Sequence, residues 1–227
     1  MTISVCIFDA YGTLFDVSAA AREAAAEPGC ESLARLWPTL SDRWRAKQLE
    51  YSWLRAIMGE HTDFWQVTQD ALDWAMESLD LADNSLRARL LDLYRRLSSY
   101  PEVPAMLTRL RDAGLPAAIL SNGSPGMLGD AVQSAGIGDL LADVLSVESV
   151  GVFKPDARVY GLVIDRFGCP RDQVLFVSSN GWDAAGAAHY GFRTAWVNRA
   201  GAPVDRLPAR PEHVLSDLST IPDLALT

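Results

Sequence analysis

The sequence predicts an α/β protein: a Rossmann-like, doubly wound parallel sheet with an inserted helical cap subdomain. Three observations carry this. Short apolar runs alternate with helical patterns from Pro101 onward, the texture of a parallel sheet covered by helices. One apolar run, Ile3 to Phe8, stands far upstream of the rest. Between them, residues 16–98 are helical in pattern with no convincing strand.

Ile3 to Phe8 is short, continuous and apolar and stops at Asp9, which reads as a buried central strand. Tyr11-Gly12-Thr13 then turns the chain. Helical spacing follows in Leu40, Trp44, Trp53 and Ile57, in Val67, Ala71, Trp74 and Ala75, and in Leu86, Leu90, Tyr94 and Leu97; five of the seven tryptophans fall in this block. After Pro101, Ala105–Ala113 reads as a helix stopped by Gly114. Pro116–Leu120 is a strand followed by Ser121-Asn122-Gly123. Ser124 and Pro125 look like an N-cap and first helical residue, opening a helix that ends near Gly136. Val144–Val147 is a strand. Asp156 caps a helix running to about Phe167 and stopped by Gly168. Gln173–Val177 is a strand, Asp183–Tyr190 a short helix closed by Gly191, and Arg193–Val197 the last strand. The Pro-rich tail from 200 reads as loop. Residues 1–15 and 99–227 thus form the expected core domain, and 16–98 the cap.

With 20 basic and 29 acidic side chains, the chain carries a formal charge of −9, which disfavours nucleic acid and anionic membranes as partners. A small anionic substrate remains compatible, because a local site can be basic. Cys6, Cys30 and Cys169 are an odd number without metal-like spacing, which fits a reducing cytoplasm rather than a disulfide scaffold. The N-terminal run lacks the basic leader of a signal peptide, and no apolar stretch is long enough to span a bilayer. The three histidines have no ligand spacing, so no metal role is assigned to them.

The polar residues gather where a doubly wound sheet builds its site, outside the carboxyl ends of the strands. Asp9 follows the first strand, Ser121 and Asn122 the second, Lys154 the third, and Ser178 to Asp183 the fourth. Each has a plainer reading: Asp9 as a turn cap, Lys154 as a surface lysine, Ser178-Ser179-Asn180 as a capping loop. Together they place a carboxylate able to act as nucleophile, base or ligand beside a cation that favours its charged form. Thr13, four residues after Asp9, is within reach of it.

In this combination the residues resemble the haloacid dehalogenase superfamily: Asp9, Ser121, Lys154 and Asp183 stand at its four strand-end positions. Phe8-Asp9-Ala10-Tyr11-Gly12-Thr13-Leu14-Phe15-Asp16 is similar to the start of an (S)-2-haloacid dehalogenase (an L-2-haloacid dehalogenase of type II). So are Ser121-Asn122-Gly123-Ser124-Pro125, Lys154-Pro155-Asp156 with Tyr160, and Ser178-Ser179-Asn180 with Trp182-Asp183. Trp44-Arg45-Ala46-Lys47-Gln48-Leu49-Glu50-Tyr51 resembles that family's first long cap helix. The superfamily's phosphatases carry a general-acid Asp two residues after the nucleophile and hold Mg²⁺ with acids after the fourth strand. This chain has Tyr11 at the former position, and Ser178 and Ser179 where a Gly-Asp would be expected. Halide is a leaving group that needs no proton, so the departures agree with dehalogenation and imply neither metal nor other cofactor.

The resemblance implies that Asp9 attacks C2 of an (S)-2-haloalkanoate, displacing halide with inversion. Water then hydrolyses the aspartyl ester to give an (R)-2-hydroxyalkanoate. It further implies that Lys154 keeps Asp9 ionised, with Tyr160 orienting Lys154, and that Thr13 and Ser178 fix the Asp9 carboxylate. Asp183, with Asn180, handles the water. Ser121 and the amides of Ala10 and Tyr11 take the substrate carboxylate. Arg45, helped by Asn122 and Phe64, takes the halide or the carboxylate. Tyr11, Leu14, Phe64 and Trp182 form an apolar wall, and the molecule is a homodimer through the cap helices. A Mg²⁺-dependent small-molecule phosphatase and a non-catalytic scaffold are the alternative readings.

Overall fold

The computed structural model describes residues 2–28, 30–81 and 83–226. Strand β1 (Val5–Phe8) is buried at all four positions, as a strand covered on both faces must be. Four helices follow before the chain returns to the sheet: α1 (Ala19–Ala25), α2 (Glu31–Met58), α3 (Phe64–Glu77) and α4 (Asn84–Arg95). The side chains of Asp63 and Asp83 accept free amides in the first turns of α3 (Gln66) and α4 (Ser85 and Leu86), a local stop that fixes where each helix begins. Leu40 and Trp44 of α2 and Val67, Ala71 and Ala75 of α3 are buried, and the Trp44 indole N–H donates to the Thr68 carbonyl at 2.8 Å. Ile57 shares their spacing yet is 82% exposed. Leu97 is buried, but it lies past the end of α4 rather than within it.

The remaining strands are β2 (Ala117–Ser121), β3 (Asp143–Ser146), β4 (Val174–Ser178), β5 (Arg193–Val197) and β6 (His213–Leu215). They alternate with α5 (Val103–Asp112), α6 (Pro125–Ala135), α7 (Ala157–Phe167) and α8 (Gly181–Tyr190), and α9 (Ile221–Ala225) follows the last. All strand pairs are parallel, in the order β3-β2-β1-β4-β5-β6. The chain runs outward from β1 to β3 and then returns to β4 on β1's other side. The strand order therefore reverses at β1, and a crevice opens at the carboxyl ends of β1, β2 and β4.

Three expectations about the fold need correction. Arg193–Val197 is not the last strand, and the tail is not all loop. β6 is three residues long, half-exposed and at the sheet edge, too short to show an alternation. The helix expected from Asp183 begins at Gly181, which puts Trp182 and Asp183 in its first turn. Ser124 does occupy an N-cap, but its side chain makes no capping bond, and Pro125 follows as first helical residue.

Leu218 and Ile221 lie in the tail and are fully buried. Leu218→Ala or Ile221→Ala is expected to cost about 2–5 kcal/mol in urea unfolding, as a core truncation does. A loop position would change by no more than about 0.5 kcal/mol.

Candidate active site

The site begins with the turn after β1. Gly12 takes φ 89°, a conformation that a side chain would strain, and lets the amides of Thr13, Leu14 and Phe15 all converge on the Ala10 carbonyl. This turn folds Thr13 back onto Asp9. The Thr13 hydroxyl donates to Asp9 Oδ2 at 2.9 Å and accepts the Ser179 amide at 2.8 Å, tying the β1 turn to the end of β4. Asn180 Nδ2 donates to the same Asp9 oxygen at 2.9 Å. Asn180 is the N-cap residue of α8, yet its side chain makes no capping bond. A residue type that favours capping is diverted to the site instead. The amides of Ala10 and Tyr11 donate no hydrogen bond among the described residues.

Lys154 lies between two carboxylates. Its Nζ is 3.2 Å from Asp9 Oδ1 and 2.9 Å from Asp183 Oδ2, and 5.0 Å from the centre of the Phe176 ring. All three charged groups are buried. Burial alone pushes the Lys154 ammonium down, but Asp183 and Asp9 outweigh it and hold it above its ordinary 10.5. Burial, reinforced by the charge of Asp9, raises Asp183 above the usual carboxylate range against the pull of Lys154. The Tyr160 hydroxyl donates to Asp183 Oδ1 at 2.8 Å, and burial followed by the Asp183 charge keeps that phenol protonated.

Asp9, Tyr11, Arg45, Phe64, Ser121, Asn122, Lys154, Asn180 and Trp182 meet around one closed cavity, together with Leu49. Its free volume is about 10 Å³, room for about one water. Arg45 reaches in from α2 and donates to the Tyr11 carbonyl and to Asn180 Oδ1, both at 3.2 Å. Among the described residues it forms no ion pair. The cavity therefore holds a guanidinium whose charge is unmatched by a direct partner. The described residues contain no cluster of three or more His, Cys, Asp or Glu side chains able to hold a metal ion.

Several residues sit where expected but contact something else. Among the described residues Ser178 makes no hydrogen bond to Asp9; its hydroxyl accepts the Asn180 amide at 3.1 Å, and Asn180 makes the bond to Asp9. Tyr160 holds Asp183 rather than Lys154. Asn122 does line the cavity, and its Oδ1 accepts the Lys154 amide at 2.9 Å. Ser121 Oγ accepts the Gly123 amide at 3.0 Å, which leaves its proton free to donate. Leu14 is buried beside the turn but is not part of the cavity wall. Three contributors escaped the sequence reading: Leu49 in the wall, Phe176 beneath the ammonium, and Gly186. A Cβ at Gly186 would lie 2.6 Å from the Tyr160 hydroxyl and 2.8 Å from Pro155 Cβ. A glycine inside a helix costs about 0.5–1 kcal/mol, so its place one turn after Asp183 was the available signal of close approach.

The fold and this site define a hydrolase of the haloacid dehalogenase-like class, whose family model matches residues 3–191. The chain is 44% identical over 226 residues to (S)-2-haloacid dehalogenase 1 of Pseudomonas sp. (strain CBS-3), covering 99% of this chain and 97% of that one. A solved dehalogenase structure with an intermediate complex matches with TM-score 0.94 at 39% identity, over 100% of this chain and 98% of that one. The L-2-haloacid dehalogenase of Xanthobacter autotrophicus with chloropropionic acid covalently bound matches with TM-score 0.86 at 39% identity, over 98% of each chain. The chain belongs to the (S)-2-haloacid dehalogenase family.

Two expectations follow from the geometry. Gly186→Ala displaces the Tyr160 hydroxyl from Asp183 and should lower kcat by about tenfold or more with little change in KM, as a small misplacement of a positioned group does. Steady-state kinetics checks it. Lys154→Met leaves two buried carboxylates unpaired and should cost about 3–5 kcal/mol at neutral pH. Lys154 is raised in the folded state, so its contribution is complete below 10.5 and fades as pH rises through the folded value. Wild-type Tm should therefore fall at strongly alkaline pH through this group, a loss that Lys154→Met lacks; thermal melts across pH check both parts.

Proposed function

We propose that this protein converts (S)-2-haloalkanoic acids to (R)-2-hydroxyalkanoic acids and halide, through an ester on Asp9 with inversion at C2. The observation that carries the reading is the closed cavity that Asp9 lines together with Arg45, a cation with no ion-pair partner among the described residues. Its relatives bear the name of this reaction, and one neighbouring structure holds chloropropionic acid covalently.

In the first step a lone pair of the Asp9 carboxylate displaces halide from C2. Lys154, Thr13 and Asn180 hold that carboxylate for attack. Ser121, with its proton free, and the amides of Ala10 and Tyr11 receive the substrate carboxylate. Arg45 receives the departing halide, beside Asn122 and the ring of Phe64. Tyr11, Phe64 and Trp182 give the cavity an apolar side that limits water, which strengthens each charge interaction inside it.

Esterification cancels the charge on Asp9 and leaves Asp183 as the one carboxylate on Lys154. Burial, the larger cause of its raised proton affinity, outlasts the loss of the Asp9 charge and suits a base. Asp183 takes a proton from water, which attacks the Asp9 carbonyl and releases the hydroxy acid. Asn180 and Ser178 act through the placement of Asp9, and Tyr160 through that of Asp183. The phosphatase alternative needs a proton donor at position 11. Burial pushes the Tyr11 phenol well above its ordinary range, which makes it a poor acid at neutral pH.

The same reading divides the chain into a core of residues 1–15 and 99–227 and a cap of 16–98. It makes the protein a homodimer through the cap helices, where Leu54, Ile57 and Met58 of α2 leave an exposed apolar strip. A cytoplasmic location suits the three free cysteines. Among the described residues no helix is long and apolar enough to cross a membrane.

Halide release from each enantiomer of 2-chloropropionate, with EDTA present, tests the reaction. Release from the (S) form alone, abolished in Asp9→Asn, is expected. Undiminished release by Asp9→Asn, or Mg²⁺-dependent hydrolysis of phosphate esters instead, would contradict it. Light scattering at micromolar protein should give twice the chain mass; a monomer mass would refute the dimer.

A further inference from the structure

A second, much larger chamber, open to solvent along one side, adjoins the catalytic cavity. Its volume is about 530 Å³, and its walls are Trp53, Ile57, Phe153, Pro155 and Leu207, with Ala56 on α2. Lys154 and Trp182 belong to the walls of both spaces, so they are the partition between them. With about 10 Å³ free, the catalytic side must widen for any substrate, whereas the chamber already has room for a long tail. The one cation in its wall, Lys154, is already paired with Asp9 and Asp183, and the one carboxylate, Asp156, repels an anion, so the chamber offers an anion nothing.

The two halves of the partition are held very differently. Lys154 is pinned by Asp9 and Asp183, and its methylene stem presents apolar surface. The Trp182 indole N–H is buried with no hydrogen-bond partner, and so is that of Trp53. The two indoles meet edge to face at 5.3 Å between ring centres. Packing alone sets the Trp182 ring, so the ring can shift without breaking a hydrogen bond.

We infer that this chamber is an alkyl-tail subsite: it receives the chain of a long linear 2-haloalkanoate, which passes between Trp182 and the Lys154 stem. The proposal rests on the dehalogenase reading above. Carboxylate, C2 and halogen stay in the catalytic cavity, and the methylenes from C4 outward lie against Trp53, Phe153 and Leu207. Each buried methylene contributes about fourfold to kcat/KM. Trp53, Phe153 and Leu207 thereby become specificity determinants that contact the tail and not the reacting atoms.

The test is kcat/KM for bromide release from (S)-2-bromopropionate and (S)-2-bromooctanoate, in wild type, Ala56→Trp and Leu207→Trp. Leu207 is 44% exposed, so its replacement leaves folding intact even where Ala56→Trp does not. Wild type should accept both substrates. Each filled variant should lose about tenfold or more on the octanoate while the propionate stays within about twofold. An equal fall on both substrates, an unchanged ratio, or a wild type that accepts only the propionate overturns the subsite and leaves the dehalogenase reading standing. A ratio unchanged while the oligomer mass shifts assigns the chamber to a second copy of the chain and likewise overturns it. A wild type that releases bromide from neither substrate overturns the functional reading and the subsite with it.

Discussion

The ammonium of Lys154, buried between Asp9 and Asp183, is the contact around which the site is assembled. Three charges without solvent are tolerable only when paired and hydrogen-bonded. Here that requirement fixes three separate parts of the chain at once: the turn after β1, the loop after β3, and the first turn of α8. Thr13, Asn180 and Tyr160 satisfy the remaining carboxylate lone pairs. Lose the ammonium, and the two carboxylates repel each other in the same small space. The chemistry uses the same constraint, because the group that makes burial possible also keeps a nucleophile ionised.

Two carboxylates against one ammonium leave one excess negative charge, and Arg45 from α2 balances it without touching either carboxylate. This separation has a consequence for function. A guanidinium paired with Asp9 would be spent, whereas one bound only to a carbonyl and an amide oxygen remains available to an incoming anion. Because Arg45 comes from the helices inserted between β1 and β2, the cavity is complete only when these helices lie over the sheet edge. The aromatic rings that accompany them, Phe64 tilted against Tyr11 and Tyr94 stacked on Tyr11, supply the apolar packing that keeps those charges strong.

Much of this is written in the sequence, and the part that is not follows a pattern. Asp9, Ser121, Lys154 and Asp183 were legible because strand ends in a doubly wound sheet converge on one edge, so position along the chain implies position in space. Their hydrogen-bond partners were less so. Ser178 and Tyr160 were placed correctly and paired wrongly, because a hydroxyl's choice among acceptors depends on distances of tenths of an ångström that no spacing encodes. β6 was missed for another reason: three half-exposed residues carry no alternation. Gly186 was overlooked because a glycine inside a helix announces a close approach without naming the neighbour, here the Tyr160 hydroxyl.

The central claim is that Asp9 itself bonds to the substrate, and a single turnover in heavy-oxygen water tests it most directly. With enzyme in excess over (S)-2-chloropropionate, the label should appear in the peptide containing Asp9 and be absent from the first lactate released, because hydrolysis places solvent oxygen on the Asp9 carboxyl. Label in the first lactate and none in that peptide would mean that water attacks C2 directly, and the account built on Asp9 as nucleophile would fall.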